Sequence, residues 1–168
     1  MSYLQLVEVA FVATFRQLGV PLQRIRKARD YLAQKFDSEH PFAEIRLKTE
    51  GHHVLLDLQE VEPDADLGVL VVADKDGQEA WQGMVGERFA EFDYESGLAV
   101  RWYPEGKSQP VVIDPRIYFG APTVCGIPTW AIKGRYEAGE SIDEIAADFE
   151  LGDEQIVYAL AFEGVEAA

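Results

Sequence analysis

Helix start and stop signals follow one another closely in the last third of the chain, and they constrain its fold more than any other feature. Gly139 ends an apolar–polar pattern that predicts a helix from Trp130 to Ala138, because glycine readily adopts the left-handed conformation found at helix ends. Thr129 stands where a side-chain cap of that helix is expected. A new element must therefore begin soon after Gly139.

Ser141 and Glu144 supply that beginning, since serine followed three residues later by glutamate is a capping box. After a turn at Leu151-Gly152, Asp153 is expected to cap a third helix. The residues expected to face inward are Ile142, Ile145, Ala146 and Phe149 on the second helix, and Ile156, Val157, Leu160 and Ala161 on the third. Three short helices joined by two tight turns have helix-turn-helix geometry.

A pair of helices is predicted at the other end of the chain. Leu4 to Leu18 has helical spacing and stops at Gly19, and Pro21 suits the first position of a second helix. The second helix carries one apolar stripe, formed by Val20, Leu22, Ile25, Ala28, Leu32 and Phe36. Its other face carries five cations, Arg24, Arg26, Lys27, Arg29 and Lys35.

Between these helical ends the pattern changes to short apolar runs that are typical of strands. The runs are Ile45 to Leu47, Val54 to Leu58, Leu67 to Val72 and Leu98 to Tyr103, with turn signals at Glu50-Gly51 and Asp76-Gly77. Glu87 to Tyr94 is expected to begin as a helix and end as a strand. We therefore predict an α+β fold with an N-terminal helix pair (1–42), a small antiparallel sheet in the middle (43–110) and a C-terminal three-helix, helix-turn-helix-like domain (111–168).

Charge is distributed unevenly along the 168 residues, whose net charge is −15. Residues 1–50 carry +2, residues 51–110 carry −9 and residues 111–168 carry −8. Proteins that bind nucleic acid usually present a basic surface, which here only the N-terminal third supplies. The acidic remainder favours a basic protein partner.

No pattern of residues indicates an active site, so we expect no enzymatic activity, no metal and no cofactor. His52 and His53 are adjacent and would point to opposite faces of a strand, while His40 lies in a turn. Cys125 has no histidine or second cysteine near it in sequence and is expected to be a small buried residue. The acidic run Glu60 to Asp66 is expected to be an exposed loop. Without a membrane-spanning run or a signal-peptide pattern, a cytoplasmic protein is expected.

Two sets of candidate binding residues follow from this pattern. The cations expected to contact DNA phosphates are Arg24, Arg26, Lys27 and Arg29. In a conventional helix-turn-helix the third C-terminal helix would read DNA, but this one begins with Asp153-Glu154 and contains no Lys or Arg. We therefore expect it to contact a protein. The candidate partner-binding residues are Trp102, Tyr103, Trp130, Asp153 and Glu154.

Several stretches resemble known bacterial families. Val112 to Arg116, Phe119-Gly120 and Gly126 to Thr129, continued by Glu137 to Phe149, are similar to domain-of-unknown-function family four-three-three. Leu6 to Val9 with Gly19 to Ala28 resembles the later helices of a MerR-like winged helix. The combination looks like that of VapB-type antitoxins.

The resemblance implies an antitoxin of a type II toxin–antitoxin system, which neutralises a PIN-like ribonuclease toxin and represses its own operon where a DNA-reading half is present. MerR-like proteins have a helix-turn-helix and a wing ahead of these helices, whereas this chain begins at Met1, so the groove-reading helix is expected to be missing. The expected partners are the cognate toxin and operator DNA, with no membrane, and a homodimer through Leu4 to Phe36 is expected. The alternatives are a stand-alone DNA-binding transcription regulator and a metal-dependent hydrolase that uses Asp57 or Asp114.

Overall fold

In the computed structural model, which describes residues 2–48, 50–51, 83 and 85–166, the chain divides into two units, Met1–Ala99 and Val100–Ala168. The elements are an N-terminal helix pair, a five-stranded antiparallel sheet and three C-terminal helices. The predicted α+β class is confirmed. Within the described residues no helix is both long and apolar enough to cross a membrane.

The helix pair consists of α1 (Tyr3–Gln17) and α2 (Leu22–Phe36). Gly19 has a φ of +84°, so the predicted stop after α1 is confirmed, and Pro21 caps α2 from just outside the helix. Most of the predicted apolar stripe of α2 is buried. Leu22, the first residue of α2, is the exception with 41% exposure.

Aromatic side chains form much of the core of the first unit. The ring of Phe11 on α1 lies 4.9 Å from that of Phe89 and 5.8 Å from that of Phe92, and Phe15 meets Phe42 edge to face. Residues 85–90 are helical and are followed by strand β1 (Phe92–Glu95), as predicted for this segment.

The strand predicted at Ile45 to Leu47 is wrong. Residues 46–48 are helical, and the only pairing nearby in the described residues is an isolated bridge between Glu44 and Leu98. Glu50 and Gly51, predicted as a turn, are helical as well, since Arg46 pairs with Glu50 four residues later and so supports a helical turn. Several predicted features lie outside the described residues. These are the runs Val54 to Leu58 and Leu67 to Val72, the turn Asp76-Gly77, the loop Glu60 to Asp66, the pair His52-His53 and Asp57.

The sheet continues with β2 (Leu98–Trp102), β3 (Val111–Ile113), β4 (Pro122–Val124) and β5 (Ile127–Pro128), and its order follows the chain. Register pairs include Trp102 with Ile113 and Val111 with Val124. The last three strands lie in a region that was predicted as helical only. They are two or three residues long, which is too short for an alternating pattern to show in the sequence.

The C-terminal helices are α3 (Thr129–Glu137), α4 (Ile142–Phe149) and α5 (Asp153–Phe162). Their shared core consists of Val111, Val124, Ile132, Ile145, Ala146, Ile156, Ala159 and Leu160. The inward positions of α5 are therefore Ile156 and the residues three and four places after it, Ala159 and Leu160, which share one helix face. Val157 and Ala161 are exposed, contrary to prediction.

The capping box of α4 is confirmed, and the other two predicted caps are each displaced by one residue. The Ser141 hydroxyl accepts the Glu144 N–H at 3.3 Å, and the Glu144 carboxylate accepts the Ser141 N–H at 2.9 Å. Thr129 and Asp153 are instead the first residues of α3 and α5, which are capped by Pro128 and Gly152. The buried Thr129 hydroxyl donates to the carboxylate of Glu163, at the far end of α5.

Candidate partner-binding surface

The outward face of α5 carries apolar and acidic side chains together. Val157 and Tyr158 are 41% and 42% exposed, and with Asp153 and Glu154 they line a surface cavity of about 520 Å³. The three-and-four spacing of the buried positions on α5 is what turns Val157 and Tyr158 outward. An apolar centre beside charged side chains is the composition of a protein-binding patch.

The start of α5 fixes the two acids of this patch. Gly152 is the N-cap, and its N–H donates to the side-chain oxygen of Gln155 at 2.9 Å. Asp153 and Glu154 follow in the first turn, where the positive end of the helix dipole stabilises carboxylates. Both acids are exposed and therefore accessible to a cationic partner.

The other predicted partner-binding residues differ in exposure. Trp130, in the first turn of α3, is 59% exposed. Trp102 and Tyr103 are half-buried, and the Lys107 ammonium lies 5.3 Å from the centre of the Tyr103 ring. Of the five predicted residues, Asp153 and Glu154 line the cavity on α5, and no contact of the other three with it is observed in the described residues.

An exposed aromatic pair lies on the loop between β3 and β4, and it was not among the candidate partner-binding residues. Tyr118 is 57% exposed and Phe119 is fully exposed. Both have left-handed backbones, with φ values of 43° and 56°. The turn residues Pro115 and Gly120 around the pair are the signal that could have marked it as a loop tip.

The base of this loop is held by Asp114, whose side chain is almost completely buried. Its carboxylate accepts the Arg116 backbone N–H at 2.9 Å and the Arg116 guanidinium at 2.8 and 2.9 Å, and Arg101 donates to it at 3.3 Å. The hydrogen bonds from Arg116 lower the pKa of Asp114 to about 2, outweighing the effect of burial. The carboxylate is thus ionised at neutral pH and fixes the loop.

The cations of α2 predicted to contact DNA are not equivalent. Arg26 and Lys27 are exposed, and Arg24 is half-buried. The Arg29 guanidinium instead donates to the buried carboxylate of Glu8 at 3.1 Å and to the Glu39 carbonyl at 2.6 Å. Arg29 therefore has a structural role that joins α1 to α2, and DNA contact by these residues stays a prediction.

The described residues include one histidine, His40, and one cysteine, Cys125, and neither belongs to a larger cluster of potential metal ligands. His40 has its Nδ1 3.3 Å from the Glu8 carboxylate, and no group of three or more His, Cys, Asp or Glu in the described ranges is placed to hold a metal. Cys125 is exposed, contrary to prediction, because it lies in the two-residue turn between β4 and β5 with a left-handed φ of 49°. Two-residue hairpin turns of this kind project their side chains away from the sheet.

Comparison with known proteins gives one family match to the C-terminal part of the chain and two protein matches to nearly all of it. Residues 111–162 match the family described as "Protein of unknown function (DUF433)". Over nearly the whole chain, two proteins of Mycobacterium tuberculosis are similar. "Putative antitoxin VapB45" is 27% identical over 95% of this chain and 70% of its own length, and "Uncharacterized protein Rv2308" is 28% identical over 94% of this chain and 68% of its own length.

The fold is also similar to a solved structure. The X-ray crystal structure of Rv2018 from Mycobacterium tuberculosis has a TM-score of 0.77 at 27% identity, covering 94% of this chain and 77% of that one. Residues 111–162 are therefore similar to a domain family, and nearly the whole chain is similar to two proteins, one of which bears the name "Putative antitoxin VapB45". The resemblance of the first helices to a MerR-like winged helix stays a prediction.

Proposed function

We propose that this protein is the antitoxin of a type II toxin–antitoxin pair, and that it acts in the cytoplasm without enzymatic activity by binding and neutralising a ribonuclease toxin of the PIN-like class. The observation that carries the proposal is the face of α5, where exposed Val157 and Tyr158 adjoin Asp153 and Glu154. A toxin that cleaves RNA needs a basic surface for phosphates, and an acidic patch with an apolar centre is complementary to it. The similarity to a protein named as an antitoxin supports the same partner class.

Co-expression with the product of the adjacent reading frame tests the proposal. The two proteins are expected to co-purify, and this chain is expected to relieve the growth arrest that its neighbour causes when expressed alone. A neighbour that neither arrests growth nor binds this chain contradicts the proposal.

Charge reversal tests whether the α5 face makes the contact. The double variant Asp153→Lys/Glu154→Lys is expected to weaken binding by about 10- to 100-fold, because it opposes like charges across the interface. The double variant Glu105→Lys/Glu166→Lys is a matched control, since it changes two exposed acids of the same unit and alters the net charge equally. Equal affinity losses in the two variants would show a net-charge effect instead of a local contact.

Repression of its own operon is the second part of the proposal, and it places any DNA contact on α2. Arg26 and Lys27 are the exposed cations among the four residues predicted to contact DNA. A mobility shift with the promoter fragment should weaken steeply with salt and should weaken further in the double variant Arg26→Gln/Lys27→Gln. No shift at low salt would count against DNA binding and leave the toxin-binding role untouched.

A further inference from the structure

The loop from Asp114 to Ala121, which we call the aromatic loop, carries the large side chains of Tyr118 and Phe119 on a backbone conformation that is unfavourable for such residues. Tyr118, Phe119 and Gly120 all have positive φ, at 43°, 56° and 83°. Glycine adopts this conformation freely, but it costs an ordinary residue free energy, because the Cβ approaches the following carbonyl oxygen. Neighbouring strained residues of this kind persist when the structure around them holds them, and they cluster at functional sites.

Two sets of hydrogen bonds hold the aromatic loop in place. Within the backbone, the N–H groups of Ile117, Gly120 and Ala121 donate to the carbonyls three residues earlier at 2.9 to 3.1 Å. At the base, the buried Asp114 carboxylate binds the Arg116 backbone and guanidinium. The tip is therefore fixed before any partner arrives.

Burial of apolar surface within the fold does not explain why a phenylalanine stands at position 119. It is fully exposed, so its ring contributes no burial to either core. An exposed phenylalanine on a pre-ordered loop can, however, enter a pocket of another molecule without the entropy cost of ordering a flexible segment. Aromatic side chains held in this way are typical of residues that dominate binding energy.

The net charge of the unit that carries the aromatic loop indicates what kind of molecule provides this pocket. Residues 100–168 contain five Lys or Arg and twelve Asp or Glu, a net charge of −7 for the unit that carries the loop. Pairing of two copies through this unit would bring two strongly acidic surfaces together and would be repelled. A basic protein surface with an apolar pocket is attracted instead.

We propose that the aromatic loop inserts Phe119, flanked by Tyr118, into an apolar pocket on the basic surface of a partner protein. The inference rests on the proposed function, in which that partner is the toxin. It adds a specific anchor, separate from the α5 face, to the binding surface.

The test measures the affinity of the purified product of the adjacent reading frame for wild-type and variant chains by biolayer interferometry. Phe119→Asn removes the ring and keeps a residue that tolerates the left-handed backbone. It is expected to weaken binding by about 10- to 100-fold with a thermal unfolding midpoint no lower than that of wild type, since the ring is exposed and asparagine tolerates the left-handed backbone. Phe119→Trp is expected to bind within about 3-fold of wild type, because it keeps an aromatic anchor.

Ile45→Ala is the matched control, since it also removes an exposed apolar side chain, in the other unit, and it is expected to leave binding unchanged. If wild type binds its neighbour and Phe119→Asn binds equally well, the anchor is refuted while the proposed function stands. If wild type does not bind, both are refuted. A wild-type dimer in light scattering that Phe119→Asn converts to a monomer would make a second copy the occupant of the loop and overturn the choice of partner.

Discussion

At the scale of single residues, Asp114 shows how one buried carboxylate fixes the conformation of a whole loop. Its side chain is 2% exposed, while the arginines that bind it, Arg101 and Arg116, keep 38% and 54% of theirs in solvent. The anion is thus withdrawn from water, and charge-assisted hydrogen bonds replace its hydration. The cations pay little for this because they remain partly hydrated.

Asp114→Asn is expected to lower the free energy of unfolding by about 2 kcal/mol, because it replaces hydrogen bonds to a charged acceptor with weaker ones. Urea unfolding at pH 7 measures the loss. The exposed loop residue Glu105 provides the control, and Glu105→Gln should change the stability by less than about 0.5 kcal/mol.

The pKa of Asp114 also predicts how this loss depends on pH. The pKa lies at about 2 in the folded protein, below its usual value of 3.8, so the stabilisation is complete above about pH 4 and disappears as the pH falls from there towards 2. The difference between wild type and Asp114→Asn should therefore shrink by about 1 kcal/mol between pH 7 and pH 3. A constant difference would mean that the stabilisation does not come from the charge.

At the scale of secondary structure, the sequence predicted those elements whose signals are local. The capping box of α4 and the glycine after α1 were found because each consists of a few neighbouring residues with a specific hydrogen-bond role. The caps at Thr129 and Asp153 were wrong because the side chains that favour caps also suit the first helical turn. Strands β3 to β5 were missed because each is only two or three residues long, too short for an alternating apolar and polar pattern to show.

The candidate site was predictable to a similar extent. Asp153 and Glu154 were predicted from their charge and helix position alone; both line the cavity on α5, and their contact with a partner stays a prediction. Val157 was placed in the core because the predicted stripe was shifted by one residue towards it, so its exposed partner Tyr158 was missed too. The left-handed backbone at Phe119 has no signature in residue type, since phenylalanine disfavours it.

Ser141→Ala tests the capping box as a stabilising element. It removes the acceptor of the Glu144 N–H and is expected to cost about 1 kcal/mol of unfolding free energy, measured by urea unfolding. Ser108→Ala, at an exposed position outside any helix, is the reference change and should be nearly neutral. A loss of equal size at Ser108 would remove the cap as the explanation.

At the scale of the whole molecule, the net charge of −15 should govern how fast a basic partner is captured. Charge complementarity acts over several ångströms in water and mainly raises the association rate, whereas apolar contacts in the bound state slow dissociation. The acidic residues of the proposed surface should therefore affect mainly the association rate constant, and its aromatic residues mainly the dissociation rate constant.

Raising the salt concentration from 50 to 500 mM is expected to lower the association rate constant with the neighbour-encoded protein by about 10-fold, because the screening length shortens from more than 10 Å to less than 5 Å. The dissociation rate constant should change much less. Biolayer interferometry at both salt concentrations measures the two constants. An association rate that does not respond to salt would contradict electrostatic capture.

Cys125 gives the molecule a built-in means of observing such a complex. It is the single cysteine of the sequence, it is exposed at the turn between β4 and β5, and its sulfur lies 3.3 Å from the side-chain nitrogen of Gln155. Gln155 directly follows the acids of the α5 face. A maleimide fluorophore would therefore attach at one place in the unmodified chain, beside the first turn of α5, and its emission would report occupation of that face in real time.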